Sequence, residues 1–333
     1  MSNMEKERSE LLTEESEQIN WTKKHLLDID DFSKAEFDLV LKTASAMKEI
    51  LSRPIKKVPA LRGKTIATLF YEPSTRTRGS FELAAKNLSA DVINLTPASS
   101  SIVKGESLID TLHTLQAMGV NAVVIRHSMA GAPYLAAKHA RASIINAGDG
   151  WHAHPTQALL DMYTVYEQKK RLKDLKVVIL GDSRHSRVAR SNILGFTGVG
   201  AKVTLCGPLT LLPPSINYKY HPYPGIEIEP DIQKALNGAD VVMVLRLQKE
   251  RQHSGLMPDI REYKNHYQLN RQRFALAKPD AMLMHPGPVN ENVEIEPELI
   301  RCPASVIDRQ VANGIAVRMA LLYLVIGGKN DEI

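Results

Sequence analysis

"KTIATLFYEPSTRTRGSFELAAKNLSADVINL", residues 64–95, decides how this chain folds. Residues 64–71 are a short run rich in aliphatic, aromatic and β-branched side chains, the mark of a strand. Pro73 disfavours helix at Glu72, so the turn lies there. A helical pattern follows over 76–89, and 90–95 ("ADVINL") is a second apolar run. Strand, helix and strand in so short a stretch make a βαβ unit, which belongs to a parallel sheet.

The same alternation continues. Apolar runs at 121–127, 142–149, 175–182, 201–208, 239–246 and 280–287 predict further buried strands. Helical stretches fall near 106–118, 132–141, 156–170, 187–195, 231–237 and 309–326. Eight runs in two groups predict an α/β fold. It has two doubly wound domains, each a parallel sheet of about four or five strands flanked by helices. Residues 161–174 ("DMYTVYEQKKRLKD") read as a long polar helix joining the halves, and 213–224 reads as a loop. The expected division is an acidic extension at 1–20, a first domain at 21–155 and a second at 156–305. A C-terminal helix at 306–328 is expected to pack back on the first domain.

Composition narrows the function. The chain has 333 residues, 44% of them hydrophobic, enough for two cores. Only 5% are aromatic, which speaks against base-stacking surfaces. The net charge is +5, with no run of five like charges, so small anions suit it better than nucleic acid. Two unpaired cysteines, Cys206 and Cys302, predict a reducing compartment and no thiolate metal site. By this reading no apolar run reaches membrane-spanning length, and the acid-rich start is unlike a targeting peptide, so the expectation is cytoplasmic.

The turn at 74–77 is the strongest site signal. A helix N-terminus at a strand's carboxyl end presents free N–H groups and a positive partial charge. Ser74, Thr75 and Thr77 add hydroxyl donors, and Arg76 adds a charged fork. Capping explains one hydroxyl, not three and an arginine. The stretch therefore predicts a phosphate site. Arg78 leaves the helix on another side and is expected to pair with Glu82.

Other candidates cluster at strand ends. Arg126 closes an apolar run, where a charge needs solvent or a partner. The Ser-rich loop 99–111 ("SSSIVKGESLIDT") contains Ser100 and Lys104, and on composition alone is equally a solvated turn. "GDGWHAHPTQALLD" supplies His152, His154 and Gln157, with Pro155 opening the next helix and no third metal ligand at suitable spacing. "GDSRHSRVARSN" holds Arg184, Arg187 and Arg190, but no dinucleotide-type glycine fingerprint. Arg246 and Gln248 follow another run, and Pro286-Gly287-Pro288 stiffen a turn. Two forked arginines suit a dicarboxylate.

The motifs S-T-R-T-R-x-S-F-E, S-x-x-x-K-G-E, H-P-T-Q, S-R-V-A-R-S, R-x-Q-K-E-R and H-P-G-P together resemble the transcarbamylases, the aspartate and ornithine carbamoyltransferases. The resemblance runs from about Trp21 almost to the end. It implies carbamoyl phosphate bound by Ser74, Thr75, Arg76, Thr77, Arg126, His154, Gln157, Pro286, Gly287 and Pro288. It implies Arg76, Thr77, Arg126 and His154 as catalytic, the last three at the developing oxyanion. Lys104, Arg187, Arg246 and Gln248 are implied at the aspartate site. Ser100 and Lys104 are implied to reach in from an adjacent subunit, Lys104 neutralising phosphate, which requires an oligomer, a homotrimer by resemblance. H-P-G-P and R-x-Q-K-E-R favour the aspartate branch and a step in pyrimidine biosynthesis, with no cofactor or metal. Regulatory or dihydroorotase partners are compatible with this reading; a nucleic acid or membrane partner is not expected. Glu291 stands where the family often has a basic residue. The alternatives are a transcarbamylase for another amino acid such as ornithine, a non-catalytic anion-binding protein on this fold, and a nucleotide-binding dehydrogenase.

Overall fold

The structure is a computed structural model that describes residues 21–96, 106–213, 226–247, 256 and 259–327. Strands β1 (Thr65–Phe70), β2 (Asp91–Leu95), β3 (Ala122–His127) and β4 (Ser143–Asp149) form a parallel sheet in the order β2-β1-β3-β4. Strands β5 (Lys176–Leu180), β6 (Lys202–Cys206), β7 (Ile226–Ile228), β8 (Val241–Val244) and β9 (Met282–Met284) form a second, in the order β7-β6-β5-β8-β9. The two-sheet α/β architecture is the one the apolar pattern predicts. The pattern does not reveal β7. That strand is three residues long, sits at a sheet edge and exposes Glu227, so it has no apolar run to read.

Helix α1 (Lys34–Ser52) precedes the first sheet. Ser33 accepts from Glu36 N–H and Glu36 returns a bond to Ser33 N–H, a capping box that fixes the start. Phe37, Val40, Leu41, Ala44 and Met47 recur at helical spacing and are buried. Both signals are local, and strand-centred reading passes over them. Helices α2 (Thr75–Asn87), α3 (Leu108–Ala117), α4 (Ala132–His139), α5 (Pro155–Lys169), α6 (Arg187–Gly198) and α7 (Ile232–Leu236) lie near their predicted places. Short helices α8 (Ile260–Tyr267), α9 (Arg271–Phe274) and α10 (Pro297–Ile300) lie outside the predicted helices; only Tyr263 of α8 and Leu299 of α10 are buried, and α9 and α10 are a single turn each. Helix α11 (Ile307–Leu322) continues into a π-helical turn at Tyr323–Gly327.

Two expectations change. Helix α5 is not a polar connector: every residue from Pro155 to Val165 is buried, and the polar end stops at Lys170, which caps the helix in a left-handed conformation. It packs against α1, α6 and α11, so it has no solvent face over its first three turns. The stretch Ile307–Gly327 is in fact long and apolar enough to cross a membrane by length and composition, with mean hydropathy 1.5. Here it is core: Val317, Met319, Ala320, Leu321 and Leu322 are fully buried, and the helix lies on α1, α2 and α5. One apolar cluster thus runs from Phe37 and Phe81 through Leu159 and Met162 to Val177 and Ile179, tying the two sheets together.

The strand order places the site. In the first sheet β1 has β2 on one side and β3 on the other, so the connections leave in opposite directions at the β1/β3 edge. In the second, β5 has β6 on one side and β8 on the other. A crevice opens at such a reversal, outside the carboxyl ends of the strands. Arg76 and Arg126 follow β1 and end β3; Arg187 and Arg246 follow β5 and β8.

Candidate active site

A single cavity of about 650 Å³ joins the two reversals. Ser74, Thr75, Arg76 and Thr77 form one wall. Ser74 occupies the N-cap position of α2 with an extended backbone, but its side chain makes no capping bond. The expected cap is therefore positional only, and the hydroxyl stays available to the cavity. Arg78 also departs from expectation: Nη1 donates to Thr96 at 2.9 Å, while Glu82 takes Lys86 one turn on and Asn94 across the sheet edge. Lys86 wins because it approaches from the helix's carboxyl side, the better orientation for a Glu–Lys pair four apart.

The second wall is built around a carboxylate that motif reading passes over. Glu72 Oε2 lies 2.6 Å from Arg187 Nη2 and 3.3 Å from Arg126 Nε. Arg187, 4% exposed, also donates to Gly150 O at 3.1 Å. Arg126 donates to Ala147 O at 3.3 Å. A Cβ at Gly148, whose φ is +115°, would stand 2.9 Å from Arg187 Nε, so a glycine leaves room for that guanidinium. The first sheet's carboxylate therefore grips an arginine of each half. Arg184 donates to Thr210 O and Arg190 is exposed; neither lines the cavity.

His154 and Gln157 come from the start of α5. His154 is buried, its backbone N–H donates to Ser191 Oγ, and its Nδ1 has no partner among the described residues. Burial first, then Arg126, Arg187 and Arg318, hold its imidazole well below the usual histidine range, so it is neutral near pH 7. His152 lies apart, between Asp149 at 3.1 Å and Asp28 at 3.7 Å. The Asp149 hydrogen bond raises its pKa.

The remaining wall is the turn after β9 with Arg246 opposite. Gly287 N–H donates to His285 Nδ1 at 2.8 Å, which leaves the proton of this imidazole on Nε2, facing Glu294 Oε1 at 3.3 Å. Asn290 N–H closes on the same oxygen at 2.7 Å. The buried His285–Glu294 pair thus holds Pro286-Gly287-Pro288 at the cavity's edge. A Cβ at Gly287 would meet Arg76 Cζ at 2.8 Å, so the bare turn seats that guanidinium. Glu291 is exposed and does not line the cavity.

Ser100, Lys104 and Gln248 lie outside the described residues. Every other predicted site residue lines the one cavity: Ser74, Thr75, Arg76, Thr77, Arg126, His154, Gln157, Arg187, Arg246, Pro286, Gly287 and Pro288. Two further residues on α11, Gln310 and Arg318, line it as well. Burial pushes the Arg318 guanidinium down to about 10, partly offset by Asp161, and it stacks on Phe81 at 5.1 Å. Burial and then the nearby Arg246 lower Arg76 too. Five arginines face the cavity against a single lining carboxylate, Glu72, among the described residues. Such a field favours anions strongly.

Comparison with known proteins agrees with this geometry. Residues 24–167 match the aspartate/ornithine carbamoyltransferase carbamoyl-P binding domain, and residues 173–325 match the Asp/Orn binding domain of the same family. The aspartate carbamoyltransferase catalytic subunit of Dehalococcoides mccartyi strain CBDB1 is 59% identical over 314 residues, which is 94% of this chain and 95% of that protein. Aspartate transcarbamoylase from Trypanosoma cruzi, solved with carbamoyl phosphate and aspartate, superposes with a TM-score of 0.84 at 29% identity, covering 92% of this chain and 98% of that one. Ornithine carbamoyltransferase from Pyrococcus furiosus gives 0.83 at 30% identity, covering 94% and 100%. By two domain matches in tandem and by these relatives, the chain belongs to the aspartate/ornithine carbamoyltransferase family.

Proposed function

We propose that this chain transfers the carbamoyl group of carbamoyl phosphate to the α-amino group of L-aspartate, giving N-carbamoyl-L-aspartate and phosphate. One observation carries the reading: arginines at both strand-order reversals converge on one cavity, Arg76 and Arg126 from one sheet and Arg187 and Arg246 from the other. Two acids can then be held side by side, a phosphate at the start of α2 and a dicarboxylate across the cleft. Ornithine's second ammonium needs a carboxylate, and among the described residues the one that lines the cavity, Glu72, is engaged by Arg126 and Arg187. The relatives named for aspartate support the same branch.

The chemistry follows from charge development. The amine attacks the carbamoyl carbon, negative charge gathers on the former carbonyl oxygen, and phosphate leaves. Arg126, His154 and Thr77 serve the oxyanion; Ser74, Thr75 and Arg76 serve the leaving phosphate. Neutral His154 donates a hydrogen bond without a proton transfer. Removing one such donor typically costs about 2.7–4 kcal/mol of barrier. Holding two substrates in alignment supplies ~7–11 kcal/mol more. The residues before α5, completed by α11, act as the carbamoyl phosphate half, and the second sheet's loops as the aspartate half.

The S-x-x-x-K-G-E motif supports sites completed by Ser100 and Lys104 of a neighbouring chain, and so a trimer with shared sites. The test has two parts. The chain should form carbamoyl-aspartate with aspartate and not carbamoylate ornithine; the reverse preference refutes the reading. Lys104→Ala and Arg187→Ala chains, each inactive alone, should regain activity when mixed. Verified subunit exchange without recovery refutes the shared site.

A further inference from the structure

Beneath the cavity floor lies a carboxylate that no motif reading assigned. Asp161 is fully buried on α5 and takes three side-chain amides. Its Oδ1 accepts from Gln157 Nε2 at 3.0 Å and from Gln310 Nε2 at 2.8 Å, and its Oδ2 accepts from Asn192 Nδ2 at 2.9 Å. Gln310 in turn accepts, through Oε1, the backbone N–H of His285 at 3.0 Å. One anion therefore sits at the meeting point of α5, α6, α11 and the turn after β9.

A carboxylate only accepts hydrogen bonds, so every amide facing it must present nitrogen. For Gln157, which lines the cavity, that leaves the carbonyl oxygen as the atom available on the cavity side. For Gln310 it leaves the oxygen to hold His285, whose own Nδ1 holds Gly287 N–H. Both groups on this wall are thereby set to accept: the Gln157 side chain and the carbonyls of the 286–288 turn. We propose that Asp161 is a positioning residue that fixes this wall as a set of acceptors and so makes the site read an –NH2 group, distinguishing a carbamoyl from an isosteric acyl phosphate. The inference deepens the carbamoyl-transfer reading and rests on it.

Two observations support it. Burial pushes the Asp161 carboxyl up to about 6, and the bonds from Asn192, Gln310 and Gln157, with Arg318, oppose it, each of them favouring the ionised form that only accepts. Its nearby positive charge is Arg318, itself buried and lining the same cavity. An acceptor wall of this kind rejects a ligand lacking the donor far more strongly than an apolar pocket does, because its own polar groups would be left unpaired.

The test uses acetyl phosphate, which replaces the –NH2 by –CH3, and inorganic phosphate, which has neither. Affinities of the full-length chain for all three are measured by calorimetry or by inhibition of turnover. The wild type should prefer carbamoyl to acetyl phosphate. In Asp161→Asn the affinity for carbamoyl phosphate should fall about tenfold or more, with acetyl phosphate and phosphate within twofold of wild type. An equal loss for all three ligands, or no loss, overturns the inference. A wild type that does not discriminate overturns the functional reading instead. Should Asp161→Asn fail to fold, Gln310→Met removes the whole link from Asp161 to the turn, its bond to the carboxylate and its bond to His285 N–H, and leaves Gln157 and Asn192 on the carboxylate. It should show the same selective loss, about threefold to fivefold, and an unselective loss or none overturns the inference.

Discussion

Replacing Glu72 by glutamine tests how the two halves are joined. In the wild type Oε2 accepts from Arg187 at 2.6 Å and lies 3.3 Å from Arg126. Glutamine keeps an oxygen for Arg187, whose guanidinium stays charged, but removes the opposite charge, so an ion pair becomes a bond with one ionised partner. Bonds to charged groups contribute about 1.5–3 kcal/mol, and keeping one charge of the two moves this bond from the upper end of that range to the lower. The difference, about 1–2 kcal/mol, corresponds to a factor of about 5–30. Arg187 keeps its bond to Gly150 O, so it is loosened rather than released. Glu72→Gln should therefore lower kcat/KM for aspartate about 5- to 30-fold and leave inorganic phosphate binding near wild type, since the 74–77 wall is untouched. Steady-state kinetics at low salt, with phosphate as competitive inhibitor, measures both. An unchanged kcat/KM for aspartate would refute the idea that this carboxylate orients Arg187.

Arg76→Ala should weaken inorganic phosphate binding at least tenfold; calorimetry showing wild-type affinity would remove the anion-site assignment. Ser33→Ala removes the capping box of α1 and should cost about 1 kcal/mol of stability with no kinetic change; chemical denaturation together with kinetics checks it. His152 has a raised pKa in the fold, so its tie to Asp149 stabilises below its ordinary range and is lost as pH rises through the raised value. His152→Gln should accordingly destabilise more at pH 6 than at pH 9, and an equal loss at both would contradict the ion pair. Histidine NMR should find His154 still neutral where an ordinary histidine titrates, while His152 titrates above the ordinary range; a protonated His154 at pH 7 would exclude its neutral-donor role.

Strand positions were legible because buried parallel strands are short continuous apolar runs, as in 175–182 and 239–246. Edge strand β7 was not, because an edge need not be apolar. The cationic site residues stood out for a related reason: an arginine directly after an apolar run has no cheap structural role, so Arg126 and Arg246 announce themselves. Glu72, Asp161 and Glu294 stayed hidden. A carboxylate that orients another side chain has no spacing of its own, and its partners, such as Gln310 for Asp161, lie far away in sequence. The same distance hid Arg318, which reads as one polar residue on an apolar helix until the fold sets it in the lining of the same cavity as Gln157 and Thr77.

Helix α11 comes after all the described strands and the ten other α-helices, yet it rests on α1, α2 and α5 and supplies Gln310 and Arg318 to the cavity. Translation proceeds from the amino end, so the first sheet waits for this late helix before it can close. Until then Phe81 and Leu160 lack their cover, and a chain interrupted before Ile307 would be both sticky and inert. Ligand affinity and the docking of this late helix are thereby made one event.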